Sequence, residues 1–278
     1  MAVQTKDDRR ATAISAEKKS MGYKVRGILR VALVAGVLSS AADGVETSNC
    51  TPISVLPFSI DTQGSYCLTK HLSTNATTGC AILINKSNVV IDLNGFKLDG
   101  TAAGPTTDAR GICAVARSNI TVHNGTIRGF LIGVALVDIP NSLSSGNLVE
   151  NIRADHNRLY GIEVDGSNHL IRGNHVFATG GTNIYGTAPQ GIFVEYGSGT
   201  QVLDNTINDT QFDAQTLSQA IWFLGTANVM ALHNRIAGAH IGIRFQNSTG
   251  IYRGNTVLNV STPGAAYVDG TNAGENYP

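Results

Sequence analysis

Charge is scarce in this chain of 278 residues: Asp, Glu, Lys and Arg together make up 14% of it, twenty acidic against twenty basic. Eight of the basic and three of the acidic residues fall in the first 42. The remainder therefore holds twelve basic and seventeen acidic residues, a net charge of −5 with histidine neutral. No basic patch survives that count, which argues against nucleic acid as a partner. A long apolar run is also missing. The best stretch, Val31 to Leu38, is too short to cross a bilayer. Cysteine is limited to four residues, without the close pairs of a structural metal site.

Glycine is plentiful, and Asn and Thr crowd the C-terminal two-thirds. That composition suits a β-rich, turn-rich exported protein better than a helical one. The N-terminus supports export. Lys24, Arg26 and Arg30 precede the apolar stretch, and Ser40-Ala41-Ala42 offers small residues for cleavage. The polar residues 1–20 sit oddly ahead of such a signal, and Met21 makes the better start. The chain is then expected in the periplasm or outside the cell. All four cysteines follow the signal, as two disulfides in an exported chain would require. Three pairings are open; Cys50–Cys67 and Cys80–Cys113 are favoured, one tying down the mature N-terminus and the other stapling neighbouring repeats.

The same short phrases recur. SNVVIDLNGFKLDG at 87–100, SNITVHNGTIRGF at 118–130, SNHLIRGNHVFA at 167–178 and ANVMALHNRIAG at 227–238 each bring a strand to an asparagine. The recurring positions are Asn94, Asn124, Asn151, Asn174, Asn205, Asn234 and Asn255, spaced 21 to 31 residues apart. Between them lies a second phrase, small–apolar–any–apolar: GICAV, GVALV, GIEVD, GIFVE, AIWFL and GIRFQ. Strands of about four residues are too short to stand as a meander. They are stable if each pairs with its equivalent in the next repeat, which is a parallel β-helix. Asparagine suits the corner, since it tolerates left-handed backbone and its amide can bond to the copies above and below. All seven are expected to stack in one ladder. A leucine-rich repeat shares the period, but the apolar positions here mix Ile, Val and Leu. The expected architecture is an all-β, single-stranded right-handed parallel β-helix. It divides into an N-terminal extension and signal (1–42), a cap (43–86), the helix proper (87–260) and a C-terminal tail or cap (261–278).

These repeats resemble those of pectate-lyase-like exported proteins. The opening GSYCLTKHLST…NVVIDLNGFKLDG is similar to that of many bacterial right-handed β-helix proteins. The resemblance spans roughly residues 50–260 and implies the fold; one fold hosts many reactions.

Along the second phrase the middle residue points outward by the period of two. Coil by coil the outward column reads Cys113, Ala135, Glu163, Phe193, Trp222 and Arg244. Two residues on runs Val115, Val137, Asp165, Glu195, Leu224 and Gln246. Acids beside aromatic rings suit a polysaccharide. The nominated catalytic group is Glu163, Asp165, Glu195 and Arg244, with Tyr160, Phe193, Trp222 and Tyr185 to hold sugar. Asp165 and Glu195, one coil apart, could develop the raised pKa of an acid–base pair or share a Ca²⁺ ion. YGIEVD at 160–165 also resembles the YGFDPH phrase of alginate epimerases. Tyr160 and Gly161 match, Glu163 stands where those enzymes have Asp, and Asp165 stands where they have His. That resemblance implies a lyase or epimerase acting on a uronic-acid polymer. The other reading is a non-catalytic glycan-binding or structural module. His123, Glu150, Asp204 and His233, each immediately before an asparagine corner, read as a solvated edge. A copper role fits poorly, because Met230 is the one methionine after the signal and no two histidines lie close in sequence.

Overall fold

The computed structural model describes residues 49–139, 144–181, 188–210, 217–261 and 266–278. The signal segment lies outside these, as do Tyr185 and parts of the loops around it. Among the described residues the one helical element is a single 3₁₀ turn, Thr101–Ala103. Everything else regular is strand, and every pair of strands is parallel. No helix among them is long and apolar enough to cross a membrane.

The strands form two sheets. The longer sheet has 16 strands and the other has nine. The nine-stranded sheet climbs one strand per coil through Arg110–Val115, Ile132–Val137, Tyr160–Asp165, Gln190–Glu195, Gln219–Leu224 and Ile241–Gln246. Its register stacks like on like. Ile112, Val134, Ile162, Ile192, Ile221 and Ile243 form one inward column, and each is fully buried. Ala114, Leu136, Val164, Val194, Phe223 and Phe245 form the next, where the last two rings stack with centroids 4.8 Å apart. The longer sheet contributes Val122, Val149, Ile171, Val202 and Ala231 from the opposite wall. The alternation read in the sequence is thus the alternation of a pleated strand closed around one apolar core.

The small residue of the repeated phrase has a steric cause. A Cβ placed on Gly161 would sit 2.5 Å from a Val176 methyl and 2.6 Å from the Gly191 carbonyl oxygen of the next coil. Glycine there lets one coil lie close on the next.

The asparagine corners divide into two kinds. Asn174, Asn205, Asn234 and Asn255 are buried and stacked. The Oδ1 of each of the last three accepts from the backbone N–H and the side-chain amide of the asparagine one coil below, at 2.9–3.0 Å. The ladder begins at Ile152, whose N–H donates to Asn174 Oδ1. It ends at Asn276, a rung the sequence reading did not include. Asn94, Asn124 and Asn151 are not rungs. They stand one position earlier, exposed, at the corner itself, with φ of 51°, 61° and 52°. Their counterparts in the later coils are Gly173 (φ 63°), Asp204 (φ 55°), His233 (φ 55°) and Gly254 (φ 64°). The expected seven-rung ladder is therefore four of the seven plus Asn276. In the earlier coils Gly125 and Ile152 occupy the rung position.

A second polar column lies at another corner. Ile120 N–H donates to Asn147 Oδ1, Asn147 N–H to His169 Nδ1, and His169 N–H to Thr200 Oγ1. Cys50–Cys67 and Cys80–Cys113 are the two disulfides, with Cα atoms 5.7 and 6.1 Å apart. The first joins the opening strands Thr51–Ile53 and Gly64–Leu68, so parallel coiling already runs through residues expected to cap the helix. The second joins adjacent coils of the nine-stranded sheet.

Candidate functional site

The outward columns of the nine-stranded sheet fall where the alternation places them. Ala135, Glu163, Phe193, Trp222 and Arg244 are in register on successive coils. Asp165, Glu195, Leu224 and Gln246 run beside them. A third outward column, Arg110, Ile132, Tyr160, Gln190 and Gln219, completes the face.

Much of this outer face is apolar and covered. Cys113, Leu131, Ile132, Ala135, Leu159, Tyr160 and Phe193 form a buried cluster separate from the core, with Val137, Trp222 and Leu224 packed against it. Its aromatic members lie on one another. Phe193 stacks on Trp222 with centroids 4.8 Å apart and 28° between planes, and Tyr160 tilts onto Phe193 at 5.1 Å. Arg244 lies over Trp222, 5.8 Å from the ring centre. Phe193 is 4% exposed, so its faces meet neighbouring rings and do not form an open platform.

Against this cluster opens a concavity of about 440 Å³, lined by Arg110, Leu131, Ile132, Val137, Leu159, Tyr160, Glu163 and Asp165. That size suits a small ligand or one sugar unit of a chain. Two of the nominated catalytic residues meet here, with Tyr160. Glu195, Trp222 and Arg244 continue the same face on the following coils without lining the concavity.

The carboxyls are held in unusual states. Glu163 keeps some accessible surface, yet protein surrounds it closely. Burial first, then the charge of Asp165, push its pKa up to about 8, against the opposing pull of Arg110. Burial pushes Asp165 up to about 7, with Glu195 and Asp138 adding repulsion and a hydrogen bond from the Asp138 N–H working against it. Burial also raises Glu195, while a hydrogen bond from Tyr196 lowers it. The Tyr160 phenol is driven far above its ordinary range by burial and by the three acids. Near neutral pH Glu163 thus keeps its proton while Asp165 is close to its midpoint.

Asp165 is fixed from behind. Its Oδ2 accepts the Asp138 N–H at 3.1 Å, and its carbonyl accepts from Ser144 Oγ at 2.7 Å and from His169 Nε2 at 2.9 Å. Because His169 Nδ1 accepts the Asn147 N–H, the ring carries its proton on Nε2, and burial holds its pKa below the usual value. Asp138 in turn accepts the Ser144 N–H with both oxygens at 2.8 and 2.9 Å. Among the described residues Asp165 Oδ1 has no partner, although the residue is only 6% exposed, and Arg110 Nε, Trp222 Nε1 and Arg244 Nε on the same face are likewise buried without a hydrogen bond.

Arg110, Asp138 and His169 were not nominated from the sequence. Arg110 was within reach: it stands directly before GICAV, in the column of Tyr160. Asp138 and His169 carry no such signal, since their role depends on which loops meet at one corner. Asp204 and His233 lie at the Asn corner with Oδ1 and Nδ1 3.7 Å apart, both well exposed.

Residues 71–272 match the family model described as "Periplasmic copper-binding protein (NosD)". The chain belongs to the NosD family. NosD proteins are described as periplasmic, and two disulfides fit an exported chain. No curated protein matches. Among solved structures, the enzymatically active domain of bacteriophage CBA120 tailspike protein 2 is similar at TM-score 0.50 and 17% identity, over 81% of this chain and 41% of that one. DFA-IIIase from Arthrobacter chlorophenolicus A6 follows at 0.45 and 17%, over 69% and 44%. Pectate lyase Pel9A is similar at 0.39 and 11%, over 79% and 58%. The chain spans under two thirds of each of these relatives, and at such identities the likeness shows the β-helix alone.

The NosD description implies copper, which needs imidazole, thiolate or thioether donors converging on one point. All four cysteines are in disulfides. Met230 stands in register with Gln201 and Ile251, away from any histidine in its column. Both nitrogens of His169 are engaged by backbone groups. Among the described residues no three of His, Cys, Asp or Glu converge. The donors present do not fit a copper centre. The same geometry leaves the Asp165–Glu195 pair without a third acidic or imidazole ligand for Ca²⁺ among the described residues.

Proposed function

We propose that the outer face of the nine-stranded sheet binds a polysaccharide, with one sugar unit seated in the concavity at Tyr160, Glu163 and Asp165. The observation that carries this reading is the Asp165 carboxyl. One oxygen is anchored by the Asp138 N–H, the other is buried and without a partner among the described residues, and the residue is part of the lining of the concavity. A buried polar atom left unpaired costs stability, so a ligand hydroxyl that supplies the missing bond gains from it. Arg110 adds a cationic wall suited to a sugar carboxylate. The aromatic row through Phe193 and Trp222 gives the face an apolar floor along the helix axis.

A second reading follows from the same residues. Glu163 near 8 and Asp165 near 7 place a proton donor and a proton acceptor in one concavity, as acid–base chemistry on a uronic-acid glycan requires. One experiment addresses both. The protein is titrated with polygalacturonate, alginate and a neutral glucan, and each mixture is assayed for unsaturated uronate products. Binding is expected with wild type and at least tenfold weaker with Asp165→Asn and Glu163→Gln. Product formation that disappears in both variants establishes the enzyme; binding without product establishes the binding module. Glycan affinity unchanged in both variants discards the site.

A further inference from the structure

The longer sheet carries a second site on its own outer face. Arg128 and Asp155 end adjacent strands and are in register, as are Thr126, Arg153 and His175 beside them. Asp155 is 4% exposed and is surrounded by base. Arg153 Nε donates to its Oδ2 at 2.9 Å, while Arg128 Nε and His156 Nδ1 lie 3.1 Å from its Oδ1. One carboxylate cannot neutralise two guanidinium groups, so Arg128, Arg153 and Asp155 together keep a net positive charge. A second carboxylate, Asp99, is in register with Arg128 and interacts with its charge, but already accepts from Thr101 N–H and Oγ1 and lies 3.9 Å from Lys97 Nζ.

The cations are also oriented. Arg153 donates through Nε to Asp155, whereas Arg128 Nε lies against it as an ion pair without a formed hydrogen bond; among the described residues the Nη nitrogens of both make no hydrogen bond. Arg153 lies over the Phe177 ring, 4.6 Å from its centre. His175 stacks on that ring at 5.5 Å and His156 meets it edge-on at 5.2 Å. The two side chains remain 30% and 49% exposed. The Nε bond and ring stacking of Arg153, and the ion pair of Arg128 with Asp155, remove part of the rotamer freedom that an exposed arginine would lose on binding, and they leave the Nη nitrogens without a hydrogen-bond partner among the described residues.

We propose that Arg128 and Arg153, held by Asp155 and Phe177, form a binding site for an oxyanion, the carboxylate or sulfate of an acidic polymer or the corresponding free ion. The planar Nη pairs suit bidentate contact with such a group. This site lies on a different sheet from the concavity and stands whether or not the concavity binds sugar.

The test is calorimetric titration of the full chain with dextran sulfate, polygalacturonate and sodium sulfate at low and at moderate ionic strength. Wild type is expected to bind at least one of the three, more weakly as salt rises. The polymer arms against the sulfate arm tell which source it prefers. The double variant R128Q/R153Q is expected to lose at least tenfold in affinity. R172Q, on the same sheet but paired with Glu150, is expected to bind as wild type. R153K keeps the charge without the fork and is expected to weaken binding at least threefold; it serves also if the double variant does not fold. No binding to any probe, or wild-type affinity in R128Q/R153Q or in R153K, overturns the proposal.

Discussion

Asn205 and Asp165 are both buried polar side chains, 0% and 6% exposed, standing on facing walls of the same coil stack. Asn205 has every polar atom engaged. Its Oδ1 accepts two N–H groups from Asn174, and its Nδ2 donates to Ile171 O and to Asn234 Oδ1, each near 3.0 Å. Asp165 has one oxygen satisfied and the other without a partner among the described residues, in a residue that lines a concavity. Both are held rigidly. The first arrangement closes on itself and so can serve only the fold. The second keeps an unpaired oxygen whose cost a ligand hydroxyl would recover under the proposed function. Burial and rigidity alone therefore do not mark a functional residue in this solenoid; under the proposed function, Asp165 is set apart by an unpaired oxygen in a residue that lines a concavity.

That contrast predicts opposite signs on mutation, and the largest effect falls on the closed column. Asn205→Ala leaves the buried Asn174 N–H without an acceptor and the Ile171 carbonyl without a donor. The expected loss is about 3 kcal/mol of unfolding free energy, read by urea denaturation. A loss under about 1 kcal/mol would show that the ladder is incidental to stability and would erase the distinction.

The open site should behave in the reverse way. In the folded chain Glu163 holds its proton up to about 8, whereas the unfolded chain releases it near 4.5. The folded state thus binds the extra proton between those limits. Its stabilising effect is complete below about 4.5 and is lost as pH rises through about 8. Asp165 acts in the same direction, between 3.8 and about 7. Allowing for solvent screening at a partly exposed carboxyl, wild type is expected to lose about 2 kcal/mol across that window. Glu163→Gln removes the titration and should flatten the curve, leaving the variant more stable than wild type at alkaline pH. Melting temperatures at a series of pH values check this. A wild-type curve as flat as that of the variant would mean that Glu163 titrates normally.

How much of this was legible in the residues alone differs between the two columns for a physical reason. The apolar periodicity located the inward columns and the outward line from Ala135 to Arg244, because a pleated strand forces alternation. The sites of Glu163 and Asp165 came with it. The asparagines misled by one position. Asn124 and Asn205 stand at the same spacing and follow similar strands, yet one is chosen for tolerance of left-handed φ and the other for a buried amide. Periodicity cannot separate these jobs. The neighbour separates them in part: Gly173 and Gly254 before Asn174 and Asn255 already supply a left-handed corner, but histidine stands before both Asn124 and Asn234, in the strand at His123 and at the corner at His233. Asp138 and His169, which fix Asp165, were out of reach, because their contacts join coils through loops that no repeat dictates. Arg128 and Arg153 were missed because the second strand of each coil varies too much to read as a column.

The smallest predicted effect sharpens that distinction between the two kinds of asparagine. Asn124 is exposed with φ of 61°, and its amide donates to Asp92 Oδ1 at 3.0 Å in solvent. Nothing buried depends on it. Asn124→Gly retains the left-handed corner and should cost no more than about 0.5 kcal/mol, whereas Asn124→Ala should cost about 1 kcal/mol, the strain of a Cβ in that region. The order glycine above alanine is the diagnostic. In the ladder the order carries no such meaning, since Asn205→Gly and Asn205→Ala both remove the same amide and should be equally damaging to within the extra flexibility of glycine. If alanine and glycine were indistinguishable at position 124 and both as costly as at position 205, the two corners would be doing the same job after all, and Asn124 would belong to a ladder whose hydrogen bonds run through Asp92.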